Sequence, residues 1–177
     1  GAVTGRTVTV GGGRLSASQP GTNAGLLQPD QRDATLLRLR LAELDGRDVR
    51  LERLTLRAAG SGDDASDIRL VTLRRDLDAD GVVDPSDPIL AAGRFSADDG
   101  LLTFSGLSAV ISAGTTADLL VAIDLTVNIA QHYHRIPKFQ CIILTRDSGN
   151  DRSEQCHPIT VVPVPGDYRG SNVVADQ

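Results

Sequence analysis

The sequence has no tryptophan and no methionine, and aromatic residues make up only 3% of its 177 residues. A hydrophobic core must therefore be built from leucine, valine, isoleucine and alanine. No apolar run approaches the roughly 20 residues that a membrane-spanning helix requires. The formal net charge of -5 offers no basic surface to nucleic acid or to an anionic membrane. These absences argue against a nucleic-acid-binding protein and against a membrane span.

The residue types that are present are unevenly distributed. Residues 1–128 contain no lysine, histidine, cysteine or tyrosine, and every residue of these four types lies in residues 129–177. With 40% hydrophobic residues, the chain can bury a sizeable core. We therefore expect a main unit over residues 1–128. Residues 129–177 form a compositionally distinct C-terminal segment that supplies additional strands or an extension.

Short stretches of alternating apolar and polar residues predict β-strands rather than helices. The clearest apolar stripe lies in residues 119–125, and we expect Asp118 and Asp124 to point outward from it. In residues 49–56 the alternation slips by one position around Glu52–Arg53, which predicts a β-bulge. The candidate strands are Arg6–Val10, Thr35–Leu44, Val49–Leu56, Ile68–Leu73, Ile89–Phe95, Leu101–Phe104, Ala109–Ser112, Leu119–Leu125, Phe139–Thr145 and Ile159–Val164. Clusters of Gly, Asp, Ser and Pro separate them, so the pattern predicts an all-β, immunoglobulin-like β-sandwich.

The most informative stretch is the acidic segment of residues 76–87. Numbered from its first residue, it has carboxylates at positions 1, 3, 5, 9 and 12, and Gly81 at position 6. Calcium takes six to eight oxygen ligands, and this spacing supplies them from one tight loop between two strands. The predicted ligands are the side chains of Asp76, Asp78, Asp80, Asp84 and Asp87 and the backbone carbonyl of Val82. The alternative is an acidic, solvated turn that joins two strands.

This segment resembles the EF-hand-type calcium loops of dockerins and thrombospondin type 3 repeats. Position 12 is Asp87 rather than the usual glutamate, the flanking residues read as strands rather than helices, and there is no second copy. Residues 30–127 resemble calcium-loop, immunoglobulin-like β-sandwich modules of bacterial extracellular proteins. That resemblance implies a structural, adhesive or filament-forming domain and a location outside the cell or on its surface.

Three further groups of residues leave alternatives open. Cys141 and Cys156 could form a disulfide in an oxidising compartment, or could stay as thiols. His132, His134 and His157 could bind a transition metal, although surface histidines are commoner.

Asp63, Asp64 and Asp67 could act as a general acid and base. They lie in a Gly- and Ser-rich stretch without an apolar pocket, so we expect a solvated turn or outer ligands to a second ion.

The sequence therefore predicts a non-enzymatic, calcium-stabilised structural or adhesive subunit of a bacterial surface or extracellular assembly. Its partners would be further copies of itself or neighbouring surface-protein domains. The alternative is a carbohydrate- or protein-binding module of a secreted multidomain protein. Carbohydrate modules present exposed aromatic rings, and residues 1–128 contain only Phe95 and Phe104, which favours the structural function.

Overall fold

The computed structural model describes residues 6–10, 13–20, 27–58, 62–127, 140–147 and 155–160. These ranges contain ten strands and one helical turn. In chain order the elements are β1 (Arg6–Val10), β2 (Gly13–Ser18), β3 (Ala34–Glu43), β4 (Val49–Arg57), α1 (Asp64–Asp67), β5 (Ile68–Asp76), β6 (Ile89–Gly93), β7 (Leu101–Ile111), β8 (Thr116–Leu125), β9 (Gln140–Asp147) and β10 (Gln155–Thr160). The prediction of an all-β chain is confirmed.

The strands form two antiparallel sheets. The six-stranded sheet has the order β1-β2-β3-β8-β5-β6, and the four-stranded sheet has the order β10-β9-β4-β7. Buried side chains from both sheets belong to one hydrophobic cluster. The two sheets therefore share a core in a sandwich-like arrangement, which is the usual way for sheets with one apolar face each to bury those faces.

Leucine supplies most of this core, as the absence of tryptophan and methionine requires. Leu39 and Leu41 of β3 and Leu54 and Leu56 of β4 have no exposed surface. Each fully buried leucine side chain contributes about 1.5–3 kcal/mol relative to an exposed one. The core thus forms between the central strands, and it holds the ends of those strands, where the loops begin, in fixed positions.

The predicted bulge in β4 is confirmed. The pairing of β4 with both of its neighbours shifts between Leu51 and Arg53. Leu51 and Leu54 are odd and even positions of the same strand, yet both are fully buried. The inserted residue explains this, because it moves the following side chains to the opposite face.

Two predicted strands are one strand in the structure. Leu101–Phe104 and Ala109–Ser112 were expected to be separate, but β7 runs without interruption from Leu101 to Ile111. Gly106 has a φ of 70°, and the pairing with β4 is irregular around it. The glycine that suggests a turn in the sequence instead lets a long strand accommodate a bulge.

The C-terminal segment contributes two strands to the smaller sheet. β9 pairs with β4 along its whole length, from Val49↔Asp147 to Arg57↔Gln140. Among the strands that the structure describes, β10 pairs only with β9 and is the last of its sheet, which suits Pro158, since proline is tolerated in edge strands. The division of the chain at residue 128 stays a prediction. Within the described ranges, no helix has the length and apolar character needed to cross a lipid bilayer.

Candidate metal centre

The predicted calcium loop lies between two neighbouring antiparallel strands. Residues 77–88 connect β5 to β6, and the backbone N–H of Arg75 donates to the carbonyl of Pro88 over 3.0 Å at the base of the loop. Strands flank the loop on both sides, as the sequence predicts, instead of the helices of an EF-hand. The sheet therefore fixes both ends of the loop.

The loop backbone is folded around its own carboxylates. The N–H of Gly81 donates to Asp76 Oδ2 over 3.0 Å, and the N–H of Val82 donates to Asp80 Oδ1 over 2.7 Å. The N–H of Asp80 donates to Asp78 Oδ1 over 3.3 Å. Gly81 has a φ of 83°, in the region that favours glycine, and this sharp turn brings its N–H back to Asp76.

Asp76, Asp78 and Asp80 are brought together as predicted. One carboxylate oxygen from each lies within 4.8 Å of those of the other two. Asp76 is only 4% exposed, and its Oδ1 atom is buried without a hydrogen-bond partner. A buried oxygen without a partner is costly. A hard divalent cation such as calcium, which binds carboxylate oxygens, would supply that partner.

The electrostatics of Asp76 also suit a cation. Burial raises the pKa of Asp76, because it disfavours the charged carboxylate. The N–H groups of Gly81 and Ala79 and the positive charge of Arg38 act in the opposite direction without cancelling that effect. Ionised Asp76 therefore lies in surroundings that compensate its charge only in part.

Asp84 and Asp87 engage the loop itself. Asp84 Oδ1 accepts hydrogen bonds from the N–H and the Oγ–H of Ser86, each over 2.6 Å, and these bonds lower the pKa of Asp84. Asp87 is 2% exposed, and its two oxygens accept from the N–H groups of Leu77 and Asp84 over 3.1 and 3.2 Å. The roles of Asp84, Asp87 and the Val82 carbonyl as ligands stay predictions.

A pair of arginines and one aspartate join the loop to the sheet. Arginines on the strand faces were expected to pair with acidic residues of neighbouring strands, but neither Asp118 as a shared partner nor the contact with the loop was predicted. Arg38 Nη2 donates to Asp118 Oδ2 over 2.7 Å and also to the carbonyl of Ala79 in the loop. Arg40 donates from Nε and Nη2 to the two oxygens of Asp118, each over 2.7 Å. Burial alone would raise the pKa of Asp118, but the hydrogen bonds and charges of Arg40 and Arg38 outweigh it and lower that pKa.

Asp118 lies opposite Arg40 in the β3–β8 pair, on the face away from the leucine stripe, as predicted. It is nevertheless only 5% exposed, because Arg38 and Arg40 cover its carboxylate. Arginines on β3 alternate with leucines, and alternation reports only the face of a strand, not the partner across the sheet. The two arginines at alternate positions of β3 predict a charged face, but they do not identify Asp118 as the partner.

The expectation of a solvated turn is wrong for Asp64 and Asp67, whereas Asp63 is exposed; the alternative of outer ligands to a second ion stays a prediction. Asp64 and Asp67 are 1% and 5% exposed, and α1 turns them inward. The carboxylate of Asp63 accepts from the N–H groups of Ala65 and Ser66, which caps this helical turn. Asp63, the first of the three acidic residues, is therefore the cap of a helical turn, which the sequence analysis took for an irregular turn.

Asp64 contacts the connection between β6 and β7. Its Oδ2 accepts from the N–H of Asp99 over 3.2 Å, and its own N–H donates to Asp98 Oδ1 over 3.4 Å. One oxygen from each of Asp64, Asp98 and Asp99 lies within 4.8 Å of the others. Burial and the charges of the neighbouring carboxylates raise the pKa of Asp64 to about 6, although the hydrogen bond from the N–H of Asp99 acts in the opposite direction. The hydrogen bonds within this group tie α1 to the turn before β7.

The cysteine and histidine predictions have different outcomes. Cys141 lies opposite Ile159 in the β9–β10 pair, and Cys156 lies opposite Leu144. This offset of three residues separates their Cα atoms by about 10 Å along the strands, beyond the reach of a disulfide. The suggested Cys141–Cys156 bond is therefore incompatible with this register. His132 and His134 lie outside the described residues, as does the side chain of His157.

Comparisons with known proteins give no family. No protein-family model matches the chain, and no curated protein matches it significantly. Fold and site must therefore be argued from the residues themselves.

Proposed function

We propose that the acidic segment of residues 76–87 binds calcium, and that the protein is a non-enzymatic, calcium-stabilised structural or adhesive subunit of a bacterial surface or extracellular assembly. The observation that carries the calcium site is the unpartnered, buried Oδ1 atom of Asp76 beside the carboxylates of Asp78 and Asp80. All three donors are oxygens, which calcium prefers over nitrogen or sulfur.

Isothermal titration of the metal-free protein with calcium chloride tests the site. We expect one binding event per chain that is lost when Asp78 and Asp80 are both changed to asparagine. A matched control changes Asp98 and Asp99 to asparagine, which removes the same charge from the other acidic group. Wild-type protein without calcium-dependent heat would refute the site. Equal loss of binding in both double variants would show a general charge effect instead.

The buried aromatic residues support a structural function over a carbohydrate-binding one. Phe95 and Phe104 are each 3% exposed, so neither offers a ring for stacking on a sugar face. Both belong to the shared hydrophobic core. These are the two aromatic residues whose side chains the structure describes, and both serve packing.

The strand pairing supports an immunoglobulin-like identity for the sandwich. In that fold the second strand pairs with the fifth, and the third pairs with the sixth. If β3 is taken as the first strand, the corresponding pairs here are β4 with β7 and β5 with β8. Three strands depart from that pattern: β3 pairs with β8, β6 pairs with β5, and β9 pairs with β4 instead of extending the sheet that contains β8.

Assembly through outer strands is the proposed mode of self-association. β1 and β6 end one sheet, and β10 and β7 end the other. An outer strand has one row of backbone groups that a strand from a neighbouring molecule can pair with. The last candidate strand of the sequence, Ile159–Val164, could add to a neighbouring sheet in the same way, but its residues 161–164 lie outside the described residues.

Deletion of residues 1–12 tests this mode of assembly. It removes β1 but keeps β2, whose Leu15 and Ala17 belong to the core. We expect the shortened protein to keep its β-sheet circular dichroism and its calcium binding, while negative-stain images lose any ordered assembly that the full chain forms with calcium. A full chain that stays monomeric at high concentration with calcium would refute self-association, as would assembly unchanged by the deletion.

A further inference from the structure

We propose that Arg38 is a positioning residue of the cation site: its guanidinium holds the loop of residues 77–88 in the binding geometry and thereby raises the cation affinity. This inference rests on the proposed calcium site. It adds to that site a residue that donates no ligand atom and lies about 40 positions away along the chain.

Arg38 contacts the loop at two places and the sheet at a third. Its Nη2 atom donates to the carbonyl of Ala79, in the middle of the carboxylate series. Its Nε atom lies 3.6 Å from Oδ2 of Asp76, an ion pair at the start of the loop. Nη2 also donates to Asp118 Oδ2 on β8 over 2.7 Å. One side chain thus connects the first carboxylate, the loop backbone and the neighbouring strand.

The loop backbone is shaped to accept this side chain. A Cβ atom at Gly81 would lie 3.0 Å from Arg38 Nη1 and 3.3 Å from its Cδ, so the arginine packs directly against the glycine. Ala79 has a φ of 61°, an uncommon conformation for a residue with a side chain. Its carbonyl is a hydrogen-bond acceptor of Arg38, so the contact stabilises this conformation.

The position of Arg38 is itself fixed. Its side chain is only 16% exposed, and the Asp118 carboxylate that receives it is held from the other side by two hydrogen bonds from Arg40. A planar guanidinium with several donors suits such a site, because it can bind several acceptors at once in a fixed geometry. Arg38 therefore contacts the loop from a position that Asp118 and Arg40 hold fixed on the sheet.

Arg38 engages Oδ2 of Asp76 and leaves the unpartnered Oδ1 of Asp76 to a cation. Two effects on affinity then oppose each other. The positive charge of Arg38 repels a second cation, so on that account alone its removal would strengthen binding. Preorganisation acts in the opposite direction, because a loop already held in the bound conformation loses less entropy on binding. The direction of the change in a variant therefore decides which effect dominates.

The test compares Arg38→Gln and Arg38→Lys with the wild-type protein. Lysine keeps the positive charge, but its single ammonium group cannot donate to three separated acceptors as the planar guanidinium does. Arg69→Gln is the matched control, because Arg69 forms ion pairs with Asp30 and Asp124 over 3.4 and 3.8 Å at the opposite end of β5. Circular dichroism first establishes that each variant has the wild-type sheet content, and either Arg38 variant alone suffices if the other does not fold.

Two measurements follow. In isothermal titration with calcium chloride, we expect both Arg38 variants to bind calcium about tenfold more weakly, because the charge-assisted hydrogen bond that holds the loop is lost. The control should stay within about twofold of the wild type. In chelator, hydrogen exchange of the Gly81 amide should be faster in both Arg38 variants and unchanged in the control, which reports on loop order without any metal.

Equal or tighter calcium binding by Arg38→Gln would overturn the positioning role while leaving the proposed calcium site intact. Wild-type affinity in Arg38→Lys would also overturn it, since charge alone would then suffice. Wild-type protein that binds no calcium would overturn the site and this inference together. Unchanged exchange of the Gly81 amide in both variants would show that Arg38 does not hold the loop.

Discussion

The carboxylate of Asp87 accepts a hydrogen bond from the backbone N–H of Leu77 over 3.1 Å, so the last acidic residue of the loop is tied to its first residue. The second oxygen of Asp87 accepts from the N–H of Asp84. Asp87 is buried, whereas Asp78 is exposed. Asp87 therefore stabilises the loop through its backbone, whereas the proposed role of Asp78 is to bind a cation.

We expect Asp87→Ala and Asp78→Ala to differ when calcium is absent. Asp87→Ala should lower the free energy of unfolding by about 1–3 kcal/mol even in chelator, because the N–H groups of Leu77 and Asp84 lose their carboxylate acceptor. Asp78→Ala should have its main effect with calcium present, because without calcium it removes only a 3.3 Å hydrogen bond from the N–H of the exposed Asp80. Chemical denaturation of both variants with calcium and with chelator checks this. Equal losses under both conditions would contradict the separation of roles.

Gly81 and Gly114 offer a matched pair of backbone tests. Both have positive φ, 83° and 66°, so alanine at either position costs about 1 kcal/mol of strain. A Cβ at Gly114 meets nothing within 4 Å, whereas one at Gly81 meets Arg38. Gly81→Ala should therefore lower the unfolding free energy by about 1 kcal/mol more than Gly114→Ala. Denaturant titration of both variants measures the difference, and equal losses would mean that the contact with Arg38 contributes nothing.

Asp64 makes the stability of the fold depend on pH. Its folded-state pKa is raised from 3.8 to about 6, so the protonated form favours folding. The stabilisation is complete below pH 3.8 and is lost as the pH rises through about 6. A shift of this size corresponds to at most about 3 kcal/mol.

In chelator at pH 7.5, Asp64→Asn should therefore melt at a higher temperature than the wild type, and near pH 4 the difference should disappear or reverse. The amide oxygen can still accept from the Asp99 N–H. Asp63→Asn is the control, because it removes the same charge from the adjacent residue and asparagine caps helices as well as aspartate. An equal gain in both variants would point to overall charge and not to the burial of Asp64.

Asp118 has the opposite pH dependence. Its pKa is lowered because the hydrogen bonds and charges of Arg40 and Arg38 outweigh burial, so its stabilisation is present above pH 4 and is lost as the pH falls through the lowered value. At pH 7, Asp118→Asn should lower the unfolding free energy by about 2 kcal/mol, because it leaves two arginines without their carboxylate.

Asp124→Asn, on the same strand, is the comparison for Asp118. Its ion pairs with Arg32 and Arg69 are longer, at 3.7 and 3.8 Å, so its loss should be smaller. Denaturation of both variants at pH 7 gives the ranking. A larger loss for Asp124→Asn would contradict the account of the Arg38–Asp118–Arg40 group.

Local patterns in the sequence predicted those features of the structure that depend on residues close together in the chain. Alternation gave the central strands and the bulge in β4, since one face of each strand is buried in a shared core. The spacing of Asp76, Asp78 and Asp80 predicted their convergence because all three lie within one turn of the chain. The single strand β7 was missed because a glycine breaks a pattern in the same way at a bulge and at a turn.

The contacts that the sequence did not predict join residues that are far apart along the chain. Asp64 is buried beside Asp98 and Asp99, about 35 positions away. Arg38 meets Asp118 across 80 positions. Neither contact has a local signature, because it arises only once the order of strands in the sheets is set.

The most direct test of the central claim is the melting temperature of the full chain with calcium and with chelator. At free calcium about a hundredfold above its Kd, binding to the folded state alone adds about 2.7 kcal/mol to the free energy of unfolding. We expect a clear rise in melting temperature for the wild type and little or none for Asp78→Ala or Asp80→Ala. Equal melting temperatures of the wild type with calcium and with chelator would contradict the claim that this fold is stabilised by calcium.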